Sequence, residues 1–219
     1  MAIRIDKIST GQRVELSNGK YEARLGWDVN EGVSPFDFDL DVQAFMLNKD
    51  KKLVSDNHLV FYNSELRVRP NNLQKVVSYE EWQREGGEWN EKMRSESRPI
   101  DPEQSVIGSL DEEEGGEEII DIDLTKVSPL VQEIVICVSI YDNDKRKQNF
   151  GQVENAYVKI RRSNQSLDDV EYQYDLTEDF SACASIEFCR LYRKDSGWKL
   201  QALGIGHHDG LRELLNKFQ

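Results

Sequence analysis

Apolar and polar residues alternate strictly in two neighbouring stretches near the N-terminus. The first stretch has its apolar positions at Tyr21, Ala23, Leu25 and Trp27. The second stretch alternates acids with apolar residues, in the order Asp37, Phe38, Asp39, Leu40, Asp41 and Val42. Successive side chains of an extended strand point to opposite faces, so both stretches predict β-strands. The second strand should carry three carboxylates on one face and an apolar core surface on the other.

Turn signals between these stretches predict an antiparallel sheet over the first sixty residues. Residues 14–16 form a short strand pattern, and Asn18-Gly19 is typical of a tight turn. The run from 21 to 27 should therefore pair back on residues 14–16 as a hairpin. The acidic strand continues to Met46, and residues 58–63 predict another strand.

The second half of the chain predicts further strands and one helix. Residues 134–140 are largely apolar at both alternating positions, which indicates a central strand buried on both sides. Strand patterns separated by turns continue to Ile205 and bring the total to about ten. Residues 211–218 predict a short C-terminal helix. We therefore predict an all-β fold, a β-sandwich of two antiparallel sheets, formed by a single domain over residues 1–219.

Charge is concentrated in one segment of this chain. The formal net charge is −13, and the segment from Pro99 to Thr125 has ten acids and no Lys or Arg. Such a patch repels polyanions, which argues against direct binding of nucleic acid and against docking on anionic lipid unless a divalent ion bridges the two.

Cysteine usage and hydropathy bear on the cellular compartment. Cys137, Cys183 and Cys189 are an odd number without metal-type spacing, and they fit buried reduced thiols. No stretch resembles a signal peptide, and no run approaches the roughly 20 apolar residues of a transmembrane segment. We therefore expect a cytoplasmic protein.

The row of Asp37, Asp39 and Asp41 leaves two interpretations open. Neighbouring carboxylates on such a face are roughly 6 to 7 Å apart and repel one another wherever water screens them poorly. The row is either a solvated strand face or a set of ligands for a cation. Asp28, at the end of the preceding strand, reaches the same rim of the sheet, and the acidic loop 111–118 offers more carboxylates.

Calcium prefers about six to eight oxygen ligands, which several acids converging from separate loops supply. An EF-hand is excluded. Counting Asp37 as the first loop position puts Val42 where Gly is needed and Asn48 where the bidentate Glu belongs.

Five separated motifs resemble the TerD family of bacterial tellurium-resistance and stress proteins. They are Gly26-Trp27-Asp28 with Asp37-Phe38-Asp39-Leu40-Asp41, Phe61-Tyr62-Asn63, the run from Gln148 to Tyr157, the run from Tyr174 to Ser181, and Leu191-Tyr192-Arg193 with Gly197-Trp198-Lys199. The resemblance implies a calcium-binding β-sandwich without known catalysis. It further implies a scaffold or sensor assembled with other stress or tellurite-resistance proteins, including a membrane-associated complex.

The resemblance also implies a ligand set for Ca²⁺. The predicted ligands are Asp28, Asp37, Asp39, Asp41, Asp111, Glu114, Glu117 and Glu118. The family usually has Gly-Asp-Asn and Thr-Gly in the acidic loop, whereas this chain has Gly108-Ser109-Leu110. Because the Asn and Thr are absent, we expect one of the family's two calcium sites to be altered or lost.

Residues 71–105 do not match the family pattern and are predicted to form a helical insertion. Tyr79–Arg84 and Glu88–Arg94 are helix-prone pieces separated by Gly86-Gly87, and Ser78 is a candidate N-cap. Trp82 and Trp89 either dock the insertion onto the parent domain or form a partner-binding surface.

Three other functions compete with calcium binding. Two opposed carboxylates can hydrolyse glycosides, but three aspartates in a row separate acid and base roles poorly. His207-His208-Asp209 suggests a transition-metal site, yet a surface turn explains it better because only His58 remains as another histidine. The third alternative is a calcium-independent acidic adaptor for a basic protein partner.

Overall fold

The computed structural model describes residues 4–29, 38–69, 72–84, 96–110, 118–163, 170–175, 180–195 and 197–219. Within these ranges fifteen strands form two six-stranded sheets and one three-stranded sheet, where the sequence indicated about ten strands. The predicted all-β sandwich is therefore confirmed.

Each of the two large sheets mixes strands from both ends of the chain. The first sheet has the order β1 (Arg4–Lys7), β13 (Val170–Asp175), β12 (Val153–Arg162), β3 (Lys20–Val29), β10 (Glu118–Asp123) and β9 (Val106–Ile107). The second sheet has the order β2 (Arg13–Leu16), β15 (Gly197–His207), β14 (Ser185–Lys194), β11 (Glu133–Ile140), β4 (Leu40–Leu47) and β5 (Leu59–Val60). All neighbours pair antiparallel except β1 and β13, which are parallel.

The small sheet and the helices complete the described elements. The small sheet has the order β7 (Asn72–Val77), β6 (Arg67–Arg69) and β8 (Arg98–Pro99). The α-helices are α1 (Tyr79–Arg84), α2 (Asn143–Arg146) and α3 (Leu211–Phe218), and 3-10 turns cover Asp56–His58 and Phe150–Gln152. No helix in the described ranges has the length and apolar character that a membrane crossing requires.

The main core lies between the inward faces of the two large sheets. Alternate residues of the second sheet fill it, among them Leu40, Val42, Ala44, Met46, Ile134, Ile136, Val138 and Ile140. The first sheet contributes Ala23, Leu25, Ile120, Ile122, Val158 and Ile160. Fully burying one such large side chain stabilises the fold by about 1.5 to 3 kcal/mol, so this layer holds the sheets together.

A second core covers the outer face of the second sheet. It consists of Phe45, Leu47, Leu59, Val135, Cys137, Leu214 and Phe218. The last two residues belong to α3, whose bounds match the helix predicted from the sequence. Strand β11 is therefore buried on both sides, as its pattern predicted.

The predicted hairpin between residues 14–16 and 21–27 is wrong. Leu16 on β2 lies opposite Trp198 of β15 in the second sheet, whereas Tyr21 on β3 lies opposite Ile122 of β10 in the first. Both Leu16 and Tyr21 enter the main core, but from opposite sides. Asn18-Gly19 therefore carries the chain across the sandwich rather than back along one sheet.

The insertion contains strands as well as helix. Strand β7 lies within residues 71–105, precedes α1 and pairs with β6. Ser78 accepts a hydrogen bond from the backbone N–H of Glu81 at 3.2 Å, as expected of an N-cap. Trp82 packs against Val77, and the Arg69 guanidinium lies 4.7 Å from the centre of the Trp82 ring. Trp82 thus packs against β6 and β7 of the small sheet, and Trp89 lies outside the described residues.

Candidate metal centre

Four of the eight predicted calcium ligands lie in described parts of the chain. These are Asp28, Asp39, Asp41 and Glu118, and we call them the acidic rim. The other four, Asp37, Asp111, Glu114 and Glu117, lie outside the described residues.

Glu118 links the two large sheets. It begins β10 in the first sheet, where it lies opposite Leu25 of β3. Its Oε2 atom accepts a hydrogen bond from the backbone N–H of Val42 in β4, at 2.7 Å. Strand β5 pairs with β4 at Ala44 and Phe45 and does not extend to Val42. The Glu118 carboxylate therefore supplies the hydrogen-bond acceptor that the Val42 N–H lacks from a neighbouring strand. The side chain is thereby fixed beside the acidic strand.

Asp39 and Asp41 lie where β4 begins, on the face opposite the main core. Leu40 and Val42 are buried in the core, which confirms the alternation predicted for this stretch. Asp41 is only 5% exposed and lies opposite Ser139 of β11. The carboxylate of Asp39 is 4.0 Å from Arg146 of α2, which partly balances its charge.

Asp28 lies at the same end of the sandwich as Glu118. It is exposed on β3, opposite Glu154 of β12, and accepts a hydrogen bond from Asn155 Nδ2 at 2.8 Å. Asp28 is three positions beyond Leu25, the partner of Glu118, so it lies about 10 Å further along the strand. Side chains alternate along a strand, so Glu118 points with Leu25 towards the second sheet, whereas Asp28 points to the outer face of the first sheet. The structure therefore places Asp28 at the same end of the first sheet as Glu118 but on its opposite face.

The donor chemistry of the acidic rim fits a hard cation, because each of its side chains offers carboxylate oxygens. The described ranges contain no group of three or more His, Cys, Asp or Glu side chains close enough to hold a metal ion. Ligation of calcium would therefore draw on the predicted acids outside these ranges as well as on the rim.

A pocket of about 320 Å³ adjoins the rim at the outer face of the second sheet. Asp41 lines it together with Tyr62, Tyr141, Asp142 and Asp209. The Tyr62 and Tyr141 rings meet edge to face, with centroids 5.7 Å apart. Asp41 is thus the residue at which the rim and the pocket meet.

The interpretation of His207-His208-Asp209 as a surface turn is wrong for His207. His208 and Asp209 are exposed, but His207 ends β15 and is 8% exposed. Its Nε2 atom lies 2.6 Å from Glu187 Oε1, and its Nδ1 atom lies 3.1 Å from Glu213 Oε1. The sequence contains one signal for this cluster, the pair Glu213 and Lys217. Residues four apart lie on the same face of a helix, and in α3 that face packs against the sheet.

These contacts shift the pKa values of the groups in opposite directions. The hydrogen bond to Glu187 raises the pKa of His207 above its ordinary 6.5, and Glu213 adds to the rise although burial opposes it. Burial alone would raise the pKa of Glu187, but hydrogen bonds from His207 and Lys217 outweigh it and hold that pKa below 4.5. Both shifts favour the charged forms, so the cluster is an ion network.

The family of the chain follows from its comparison with known proteins. The profile of the TerD domain matches residues 1–218. The chain belongs to the TerD family. Proteins of this family take part in tellurium resistance and the stress response.

Several TerD-family proteins are similar over nearly their whole length. The uncharacterized protein YceE of Bacillus subtilis (strain 168) is 32% identical over 100% of this chain and 98% of its own. General stress protein 16U of the same organism is 31% identical, covering 96% of this chain and 95% of its own. Tellurium resistance protein TerD of Serratia marcescens is 28% identical, covering 96% and 95%.

A solved TerD-family structure supports the fold. The crystal structure of a homologue of telluride resistance protein (TerD) from Streptomyces coelicolor A3(2) superimposes with a TM-score of 0.53. It covers 91% of this chain and 96% of its own, at 17% sequence identity. At that identity the likeness bears on the fold alone.

Proposed function

We propose that this TerD-family protein binds Ca²⁺ at the acidic rim and acts as a non-enzymatic scaffold or sensor in tellurite resistance or the stress response. The ligands of the calcium ion are the residues of the acidic rim together with Asp37, Asp111, Glu114 and Glu117. The observation that carries the proposal is the hydrogen bond from the Val42 N–H to Glu118, which fixes a carboxylate of one sheet beside the acidic strand of the other.

Electrostatics explains why calcium would bind here. Asp41 lies on β4 and Asp39 just before that strand, on the same face. Glu118 contacts the backbone N–H of Val42 beside them, and the segment that leads into Glu118 is acidic. Like charges at this separation repel one another, the more so around the 5% exposed Asp41. A divalent cation converts that repulsion into attraction and joins oxygens from several loops.

Calcium bound here would also stiffen the sandwich, because its ligands come from both large sheets. Such a bridge is the physical basis for a sensor, since the relative position of the sheets then depends on the ion. The names of the relatives support the cellular role, as they include general stress and tellurium-resistance proteins. Cys137 and Cys189 are buried thiols without a disulfide bond, which supports a cytoplasmic location.

Calorimetric titration with Ca²⁺, paired with thermal unfolding in calcium and in chelator, tests the proposal. An ion that binds only the folded protein at about 100 times its dissociation constant stabilises it by about 2.7 kcal/mol. Glu118→Gln keeps a hydrogen-bond acceptor for Val42 but removes the charge, so it should weaken calcium binding with little loss of stability in chelator. Asp37→Asn should act in the same direction.

Asp50→Asn is the matched control, because Asp50 is an exposed acid in the turn after β4. It should bind calcium as the parent protein does. The proposal fails if calcium produces neither heat nor a thermal shift. Capture of a basic partner in calcium and in chelator then tests the alternative function, the calcium-independent acidic adaptor. Such an adaptor would retain its partner in chelator.

A further inference from the structure

His207 is held by a carboxylate at each of its two ring nitrogens. Glu187 on β14 lies 2.6 Å from Nε2, and Glu213 on α3 lies 3.1 Å from Nδ1. An ionised carboxylate only accepts hydrogen bonds, and a neutral imidazole has only one N–H. Both contacts therefore form together only when His207 carries a proton on each nitrogen.

The charges around His207 balance only in this protonated form. Lys217 of α3 contacts the same Glu187 oxygen, so two cations face two carboxylates. The backbone N–H groups of His208 and Asp209 donate to the other oxygen of Glu213, at 2.9 and 3.1 Å. The buried Cys137 thiol on β11 lies opposite Glu187, and the exposed Asp209 beside Glu213 is paired with Arg212. Loss of the His207 proton leaves the group with one excess negative charge.

Desolvation makes that excess costly. Glu187 is only 3% exposed, and His207 is nearly as buried. A buried carboxylate that loses a charged partner has little water to replace it.

This ion network attaches both ends of α3 to the sheet. Glu213 is in the first turn of the helix and Lys217 in its last turn. The helix has eight residues, which is too short to be stable on its own in water. Its position therefore depends on the second core and on these ion pairs.

We propose that His207 is a proton-operated latch for α3. With His207 protonated, the helix is fastened over the outer face of the second sheet. When the proton is lost, the contact with Glu213 or Glu187 breaks, α3 opens more often, and the apolar surface around Phe45, Val135 and Cys137 is uncovered.

The direction of the pH effect follows from the raised pKa of His207. A group whose pKa is higher in the folded state stabilises that state fully below its unfolded pKa, near 6.5, and loses the effect as pH rises through the folded value. The latch is thus closed in mild acid and opens on the alkaline side.

Hydrogen exchange of the α3 backbone amides between pH 6 and 9, corrected for intrinsic exchange rates, tests the latch in the full chain. In the parent protein, protection of α3 should fall as pH rises. His207→Gln keeps at most one of the two contacts, so its α3 should be about tenfold less protected at pH 6 and nearly independent of pH. The control His208→Gln changes an exposed neighbour and should behave like the parent.

A proton NMR titration of His207 provides the second measurement. The midpoint of this titration should lie above pH 6.5 in the parent protein and should fall in the Glu213→Gln variant. Glu213 is half-exposed, so this substitution should leave the fold intact. The latch is refuted if His207→Gln and the parent protect α3 equally at every pH. It is refuted as well if the midpoint is at or below 6.5, and this second test stands even where His207→Gln does not fold.

Discussion

The ring of Phe218, at the end of the chain, packs against Phe45 in the middle of β4 with ring centroids 4.9 Å apart and planes tilted by 45°. Both residues are buried in the second core. The contact shows that α3 is an integral layer of the fold and that the second sheet has no bare outer face at this point.

Removing the Phe218 ring should therefore destabilise the whole domain. Phe218→Ala loses the apolar burial and leaves a cavity against Phe45, at a cost of about 3 kcal/mol. Urea unfolding followed by tryptophan fluorescence measures the change. Leu130→Ala is the control, because Leu130 is 67% exposed and its truncation should change stability by less than about 0.5 kcal/mol. Equal effects of the two variants would contradict the role of α3 as a structural layer.

A side chain at Gly26 of β3 should destabilise the fold, because a Cβ there would overlap the ring of Tyr157 on the neighbouring β12. Gly26→Ala should cost about 1 to 3 kcal/mol through overpacking. Adding Tyr157→Ala should recover part of that loss, and a double-mutant cycle from thermal unfolding measures the coupling. Gly197→Ala, with open space around the new methyl group, should be nearly neutral. Additive effects of Gly26→Ala and Tyr157→Ala would argue against the overlap.

Glu22 should contribute to stability above mildly acid pH. Burial alone would raise its pKa, but hydrogen bonds and charge from Arg161 and Arg24 outweigh burial and lower it below 4.5. A lowered carboxyl pKa gives stability that is present above the unfolded value and is lost as pH falls through the folded one. Acid titration of the unfolding midpoint should show a shallower decline for Glu22→Gln than for the parent. Glu65→Gln, an exposed acid, should follow the parent curve.

The insertion should depend on Arg67, which is only 1% exposed. Its guanidinium donates to Ser97 Oγ and Ser97 O at 2.7 and 2.8 Å and to the carbonyl of Tyr62 at 2.7 Å. Arg67→Met leaves these acceptors without their donor, at a cost of about 3 kcal/mol. Limited proteolysis should then cut residues 67–99 faster than in the parent. Arg84→Met, on the exposed side of α1, should leave the cleavage rate unchanged.

The local pattern of apolar and polar residues predicted the strands and helices of this fold better than it predicted which strands pair. The burial of residues 134–140 and the bounds of α3 were predictable because alternation and helical period are properties of one segment. The hairpin between residues 14–16 and 21–27 was not, since Asn18-Gly19 specifies a turn and not the sheet that the next strand joins. Strand β6 was missed because its partners β7 and β8 each pair with it over only a few residues.

The acidic rim was predictable in part for the same reason. The alternation of residues 37–42 set the faces of Asp39 and Asp41, and the family resemblance singled out Glu118. The contact between Glu118 and Val42 depends on how two sheets stack, which no period in the sequence encodes. The ion network of His207 was not predicted either, because its four members come from three separate elements, β14, β15 and α3.

The pairing of β2 with β15 has a consequence for how the protein is made. Residues 13–16 find their strand partner only at residues 198–201, so one margin of the second sheet is completed by a segment that is synthesised after β4, β11 and β14. Until then β4 and β11 are present without α3, and Phe45 and Val135 face water. We expect nascent chains of this protein to be aggregation-prone and to engage chaperones until residues 198–218 have been synthesised.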